Sequence, residues 1–138
     1  MPNKRRTIGR DATEAEIQAA VCDYLCALKL TWFRMNSGVA RPQRANGKQG
    51  WVRYGTPGMA DLLAFQGPFP VWLECKTRAG TQSDDQKAFQ ARVKQNGHVY
   101  AVVRSVDDAR SALIFAMAVY QDATKRLADE LCAAGGNP

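Results

Sequence analysis

The sequence predicts an α/β fold in which helices flank a mixed sheet of about four strands. Three observations lead to this prediction. Helical periodicity with capping signals recurs along the chain, and short apolar runs of strand length lie between the helical segments. The 138 residues, 46% of them hydrophobic, are enough for one core and too few for two. We therefore expect a single domain at residues 13–134, preceded by a basic arm at residues 1–12.

The first helix is predicted from Thr13 to about Lys29. Thr13-x-x-Glu16 has the form of a capping box, and apolar side chains follow at helical spacing: Ile17, Ala20, Val21, Tyr24, Leu25 and Leu28. Glu16 has two interpretations. It caps the helix, which the spacing favours, or it reaches from the edge of the buried face into a functional site.

An aromatic-rich strand is expected at Thr31–Asn36, followed by Ser37-Gly38. From Gly38 to Gly58 the chain shows little periodicity, so a long loop is predicted there. Trp51 and Tyr54 lie among basic residues in this loop, which suits contact with phosphates and stacked bases. Trp51 is equally suited to packing against the core.

A hairpin is expected at the centre of the chain. Ala60–Phe65 and Val71–Thr77 are apolar runs, and Gly67-Pro68-Phe69-Pro70 supplies turn residues between them. Because side chains alternate along a strand, Glu74 and Lys76 share one face of the second run. Charges on such a strand are costly to bury unless they pair, bind a metal or act on a substrate.

Closing this hairpin brings Asp61 towards the end of the strand that carries Glu74 and Lys76. The simpler interpretation of Glu-x-Lys is a salt bridge between sheet neighbours. Two carboxylates and a lysine in one place are, however, the groups that a divalent-metal hydrolase needs.

The remaining elements follow in order. Ser83-x-x-Gln86 predicts a second capping box and a helix to about Gln95, with Gln86 as the capping partner. His98–Val103 predicts a third core strand, parallel to another strand because a helix precedes it. Ser105 begins a helical region from Val106 to about Ala133, in which a break near Tyr120–Ala123 is left open.

The net charge of +6 is unevenly distributed. No acidic residue lies between Asp23 and Asp61, whereas six basic residues do: Lys29, Arg34, Arg41, Arg44, Lys48 and Arg53. A stretch in which all charged side chains are positive indicates a polyanionic partner. Incidental charge on a solvated loop is the alternative. The N-terminal arm adds a second basic group, formed by Lys4, Arg5, Arg6 and Arg10.

Several mechanisms are excluded by what the sequence lacks. His98 is the only histidine, which leaves little material for histidine-rich metal sites or a Ser-His-Asp triad. Phosphate-binding glycine motifs are absent, and Cys22 and Cys26 lack the further pair that a zinc site requires.

The longest apolar run, Ala112–Tyr120, is too short to cross a bilayer, and Met1–Arg10 does not have the form of a signal peptide. We therefore expect a cytoplasmic protein with reduced cysteines.

Carboxylates and a lysine remain as candidate catalytic groups. Such oxygen ligands suit Mg²⁺ or Mn²⁺, which promote phosphodiester hydrolysis. Together with the basic stretch, they predict a metal-dependent nuclease.

These motifs resemble those of the PD-(D/E)xK nuclease superfamily, and more narrowly the VRR-NUC nuclease domain. The resemblance extends from about Glu14 to Asp108 and rests on four segments in order: Glu16-Ile17-Gln18, Gly55 to Leu62, Glu74-Cys75-Lys76-Thr77, and Ser83 to Gln86. Ala60 departs from the pattern, since proline commonly stands directly before the first metal-binding acid.

The resemblance implies a restriction-endonuclease-like core and a role for each motif residue. Asp61 and Glu74 would bind the metal, helped by the backbone carbonyl of Cys75 and by Glu16. Lys76 would orient or help deprotonate the attacking water and stabilise the developing charge. Gln86 would position Lys76 or the substrate. The expected DNA contacts are Arg34, Arg41, Arg44, Lys48 and Arg53.

Stand-alone members of this family resemble nucleases that are selective for branched DNA, of the Holliday-junction resolvase type. Symmetric cuts in a four-way junction imply a homodimer. Ala112–Tyr120, apolar on every face of a helix, is the expected interface, unless Lys125–Cys132 folds back over it. A nucleic-acid-binding module without catalysis is the alternative function.

Overall fold

The computed structural model describes residues 11–35, 37–40, 47 and 50–135. This part of the chain forms a mixed α/β fold. Its helices are α1 (Glu14–Ala27), α2 (Asp84–Gln95) and α3 (Val106–Ala133). Its strands are β1 (Thr31–Arg34), β2 (Gly38–Ala40), β3 (Val52–Tyr54), β4 (Leu62–Gln66), β5 (Phe69–Cys75) and β6 (Val99–Val103). None of the described helices is long and apolar enough to cross a membrane.

Four strands form the main sheet in the order β1-β4-β5-β6. β4 is antiparallel to β1 and β5, whereas β6 runs parallel to β5 and follows it through α2. The prediction of an α/β fold with a mixed sheet of about four strands is thus confirmed.

The β4–β5 hairpin turns more tightly than predicted. Gln66 pairs with Phe69, so Gly67 and Pro68 alone make the turn, with Gly67 at a φ of +63°. Pro70 therefore belongs to β5. It precedes Val71, the first residue of β5 that pairs with β6, so its missing N–H falls outside that ladder.

The two faces of the sheet are covered by different helices. Alternate residues of β5, Val71, Leu73 and Cys75, are buried in one core that includes residues of α1 and α3. On the other face Trp72 packs edge-on against Phe89 of α2, with ring centroids 5.1 Å apart. Glu74 and Lys76 lie on this second face, as the alternation predicts.

α3 is one continuous helix of 28 residues. The break left open near Tyr120–Ala123 does not occur, because neither proline nor glycine interrupts the segment. The folding back of Lys125–Cys132 is also excluded, since these residues continue the helix away from the core and are exposed. In the stretch Ala112–Tyr120, Ala112, Leu113 and Ala116 are buried, whereas Ile114, Phe115 and Met117 are exposed.

The predicted loop from Gly38 to Gly58 contains regular structure that the sequence pattern did not indicate. β2 and β3 form an antiparallel ribbon in which Gly38 pairs with Tyr54. Strands of three residues are too short to show a period of two. A Cβ atom on Gly38 would lie 2.8 Å from the Tyr54 hydroxyl, so glycine allows the ring to approach the backbone.

Candidate active site

Asp61, Glu74 and Lys76 meet at one end of the hairpin. Because β4 begins directly after Asp61 and antiparallel β5 ends at Cys75, the residues flanking these two points are neighbours. The backbone N–H of Cys75 donates a 2.8 Å hydrogen bond to Oδ2 of Asp61. On the other side, the N–H of Met35 donates to the Asp61 carbonyl oxygen at 2.8 Å. The predicted convergence of these three side chains is therefore present.

Glu74 is the most deeply buried member of the cluster, with 0% of its surface exposed. Its Oε1 accepts hydrogen bonds from Nε2 of Gln86 at 2.5 Å and from Nζ of Lys76 at 3.0 Å. Its Oε2 is buried and has no hydrogen-bond partner among the described residues. A buried carboxylate oxygen without a partner is costly, so this atom is poised to accept a ligand.

The acid that α1 contributes to the cluster is Glu14, two residues before Glu16. Carboxylate oxygens of Glu14, Asp61 and Glu74 lie within 4.8 Å of one another, and Glu14 Oε1 lies 3.5 Å from Lys76 Nζ. Glu16 instead closes the capping box: its Oε2 accepts from the backbone N–H of Thr13 at 2.8 Å and from the Thr13 hydroxyl at 2.9 Å.

The structure thus brings Glu14, and not Glu16, beside Asp61 and Glu74. Capping was the interpretation that spacing favoured for Glu16, while the family resemblance favoured a role in the site. A helix that uses its third residue for the cap leaves the acid of its first residue free to point elsewhere. The sequence shows such an acid at Glu14, but not the direction of α1 that brings it to the site.

Gln86 serves both the helix and the site. Its Oε1 accepts a 2.9 Å hydrogen bond from the N–H of Ser83, which completes the second capping box, while Nε2 donates to Glu74. The loop before Asp61 lies against the same turn of α2. A Cβ atom on Gly58 would lie only 2.1 Å from the carbonyl group of Asp85, so this close approach requires glycine.

Burial and charge shift the pKa values of the cluster. Burial raises the pKa of Glu74 to about 7, against the hydrogen bond from Lys76, which lowers it. Burial also raises the pKa of Asp61, and the hydrogen bond from the Cys75 N–H opposes this shift. Burial alone would lower the pKa of Lys76, but the hydrogen bond to Glu74 and the nearby carboxylates raise it above its ordinary value. Lys76 is therefore an ammonium at neutral pH.

The residues present fit a divalent cation. Three carboxylates and one ammonium leave an excess of two negative charges when all four groups are ionised. All three carboxylates are hard oxygen donors, the kind that Mg²⁺ and Mn²⁺ prefer. Oε2 of Glu74, which has no hydrogen-bond partner in the described part of the chain, belongs to one of them. The expected role of the Cys75 carbonyl stays a prediction.

Two of the predicted DNA contacts lie in the described part of the chain. Arg34, at the end of β1, is exposed, and its Nη2 donates a 2.5 Å hydrogen bond to Gln18 Oε1. Its positive charge also opposes the rise in the pKa of Asp61, so it lies near the acidic cluster. Arg53 is exposed on β3. The other predicted contacts, Arg41, Arg44 and Lys48, lie outside the described residues, as does the basic arm.

Sequence reasoning missed Arg104, which directly follows β6. Its Nη1 donates to the carbonyl oxygens of three residues in the segment that leads from Lys76 towards α2: Thr77, Arg78 at 3.5 Å and Gly80 at 2.8 Å. One guanidinium thus holds the chain directly after the site. Nothing in the sequence near Arg104 indicates this role, because the contact spans 24 to 27 residues.

Comparison of the chain with family models, with curated proteins and with solved structures finds no match in any of the three.

Proposed function

We propose that this chain is a Mg²⁺- or Mn²⁺-dependent DNA endonuclease with a PD-(D/E)xK core. The observation that carries the proposal is the buried Oε2 of Glu74, which has no hydrogen-bond partner among the described residues and belongs to a group of three carboxylates within 4.8 Å. A carboxylate kept only for a salt bridge with Lys76 would not require Asp61 and Glu14 beside it.

Glu14, Asp61 and Glu74 would hold the metal. When bound, such an ion supplies positive charge to the phosphate oxygens and lowers the pKa of water. Lys76 contributes as an ammonium: it hydrogen-bonds Glu74 and can orient a water molecule or stabilise charge on the phosphate. Help in deprotonating the attacking water stays the other expected role of Lys76, because the carboxylates that raise its pKa here are the groups that would hold the metal.

DNA is the proposed substrate because the chain is basic overall and Arg34 lies near the acidic cluster. The net charge of +6 suits a polyanion, and Arg34 and Arg53 are exposed. The motif resemblance to VRR-NUC nucleases narrows this proposal to branched DNA, with Holliday-junction resolution as the activity.

A homodimer is also proposed, because resolution of a four-way junction requires two active sites. In the stretch Ala112–Tyr120 of α3, three large apolar side chains, Ile114, Phe115 and Met117, are between 41% and 60% exposed. A second copy of the chain would cover them and place two active sites on one junction.

A nucleic-acid-binding module without catalysis is the second candidate. It requires the carboxylate cluster to be structural only, and it predicts DNA affinity that falls steeply with salt and no cleavage. Oε2 of Glu74, without a hydrogen-bond partner among the residues that the structure describes, favours the enzyme, because a purely structural carboxylate is normally satisfied by hydrogen bonds.

Incubation of the protein with a supercoiled plasmid and with a labelled four-way junction tests the proposal. Wild type should cleave in Mn²⁺ or Mg²⁺ and not in EDTA. Asp61→Asn should bind the junction and not cleave it, whereas Asp129→Asn, an exposed acid far along α3, should cleave at the wild-type rate. Binding without cleavage of either substrate by wild type, in both metals, would establish the binding module instead.

A further inference from the structure

The β2–β3 ribbon lies beside the acidic cluster. The chain enters the ribbon just after Met35, whose N–H donates to the Asp61 carbonyl oxygen at 2.8 Å. Where the chain leaves the ribbon, Tyr54 lines the same cleft as Asp61. The Gly38–Tyr54 pair is therefore the end of the ribbon next to the site, and Val52 lies at the other end.

The hydrophobic cores do not hold this ribbon in place. Val52, Arg53 and Tyr54 are all exposed, although side chains on a strand alternate between two faces. Among the described residues, neither hydrophobic core includes a residue of β3. An isolated two-stranded ribbon is marginally stable in water. We therefore expect a binding partner to cover it.

The charge of this region favours a polyanion as that partner. Arg53 makes no ion pair with another described residue. In the sequence, the residues that join β2 to β3, 41–51, add Arg41, Arg44 and Lys48 and no acidic residue. A second copy of this basic ribbon would be repelled, whereas the phosphates of DNA would be attracted.

The dimensions of the ribbon suit one groove of duplex DNA. Paired strands lie about 4.8 Å apart, and three residues, the length of each strand here, rise about 10 Å. The major groove, about 12 Å wide and about 8.5 Å deep, admits a two-stranded ribbon, whereas the minor groove is only about 6 Å wide. Each phosphate borders both grooves, so a ribbon beside the acidic cluster can reach the major groove next to a phosphate bound there.

We propose that the β2–β3 ribbon enters the major groove of a paired DNA arm next to the scissile phosphate, with Arg53 supplying positive charge inside the groove. This inference rests on the proposed nuclease function and deepens it by naming the element that holds the substrate. It requires paired DNA, which every arm of a four-way junction provides. The ribbon then fixes the direction in which that arm leaves the active site.

Methylation of guanine N7 by dimethyl sulfate tests the proposal without cleavage, because this atom lies in the major groove. Wild type is bound at saturation to a four-way junction in Ca²⁺, which also prefers oxygen ligands. Guanines in the arms near the crossover should be protected. Arg53→Ala, also at saturation, should lose protection at these guanines. Unprotected guanines throughout the bound junction would overturn the proposal.

The affinity for the junction gives the second readout. Arg53→Ala should weaken binding about 5- to 150-fold, the range for loss of one arginine contact with DNA. Arg126→Ala is the matched control: it removes the same charge at an exposed position far along α3 and should bind within about twofold of wild type. Both variants should keep the thermal stability of wild type, because both side chains are exposed. Equal affinity of the two variants would contradict the proposed contact.

The ribbon proposal and the nuclease proposal fail in different ways. If wild type cleaves in Mn²⁺ and protection of guanine N7 is absent or independent of Arg53, the ribbon contact is overturned and the nuclease stands. If protection depends on Arg53 but wild type cleaves no substrate, the nuclease is overturned and the ribbon contact stands.

Two other results would also overturn the ribbon contact. Protection of adenine N3, an atom in the minor groove, in place of guanine N7 would show that the groove is wrong. If Arg53→Ala changed the sedimentation of the DNA-free protein, the ribbon would contact a second copy of the chain instead of DNA.

Discussion

Gln86 connects the first turn of α2 to the buried Glu74 through a 2.5 Å hydrogen bond from Nε2 to Oε1. The same Glu74 oxygen accepts from Lys76, whereas the other oxygen is buried and has no partner among the described residues. Both donors therefore contact the same oxygen of Glu74, Oε1, which leaves Oε2 available to a ligand. This asymmetry is the structural basis of the proposed metal site.

The metal-free protein should lose stability as the pH rises from about 4.5 to about 7. Glu74 ionises near 4.5 when unfolded but near 7 when folded, so over this interval the folded state keeps a proton that the unfolded state has released. This lowers the free energy of unfolding by about 3 kcal/mol at the upper end, and Asp61 acts in the same direction.

Urea denaturation in EDTA at about pH 5 and about pH 8 measures the effect. Other carboxylates also titrate, so the readout is the difference between wild type and Glu74→Gln. The variant should gain stability relative to wild type at the higher pH. If wild type and Glu74→Gln differed in their free energy of unfolding by the same amount at both pH values, ionisation of Glu74 would not destabilise the folded protein.

Glu14→Gln and Glu16→Gln should separate the metal site from the helix cap. Mn²⁺ at a hundredfold excess over its dissociation constant should stabilise wild type by about 2.7 kcal/mol. Glu14→Gln should lose most of this stabilisation, because it removes one of the three carboxylates. Glu16→Gln should retain it and lose up to about 1 kcal/mol in metal-free protein through a weaker cap. Thermal denaturation with and without Mn²⁺ measures the stability of the metal-free protein and its stabilisation by the metal. If Glu16→Gln lost the stabilisation by Mn²⁺ and Glu14→Gln kept it, Glu16 would have the metal-binding role that the family resemblance implied.

Arg104→Met should loosen the segment that follows Lys76. Loss of hydrogen bonds from a charged group to three carbonyl oxygens should cost about 1–3 kcal/mol. Trypsin cleavage after the exposed Arg78 should accelerate by about tenfold or more, and Arg110→Met, at an exposed position on α3, is the control. Equal proteolysis of the two variants would show that this segment does not depend on Arg104.

Phe115→Asp should separate the proposed dimer into folded monomers. Phe115 is 60% exposed, so a charge there should leave the chain folded while preventing the apolar contact. Sedimentation velocity at micromolar concentration measures the change, with Gln121→Asp at an exposed position as the control. A wild type that is monomeric with and without DNA would exclude both the dimer and junction resolution and leave the nuclease untouched.

The sequence predicted those parts of the fold that local patterns encode. Both capping boxes are present, and the alternation along β5 placed Glu74 and Lys76 on one face. α1 nevertheless ends at Ala27, before the expected Lys29, because Lys29 adopts a left-handed backbone with a φ of 55°.

Contacts between distant segments could not be predicted. Which acid of α1 lies beside Asp61 and Glu74 depends on the direction of α1 relative to the end of β5. The hydrogen bonds from Arg104 to the segment after Lys76 depend on the parallel pairing of β5 with β6. The ribbon of β2 and β3 was missed because its strands are too short for a pattern. In each case the contact depends on how segments that are distant in the sequence pack or pair with one another.

Cleavage of a labelled four-way junction in Mn²⁺ by wild type and by Glu74→Gln, side by side, is the most direct test of the proposal that this chain is a metal-dependent nuclease. The variant keeps the size of the side chain and an oxygen that can accept from Lys76, but removes the buried negative charge. We expect cleavage by wild type that EDTA abolishes, and loss of at least about a hundredfold in rate for Glu74→Gln with junction binding retained. Cleavage by Glu74→Gln at the wild-type rate would contradict the assignment of the site, and absence of cleavage by wild type would contradict the nuclease itself.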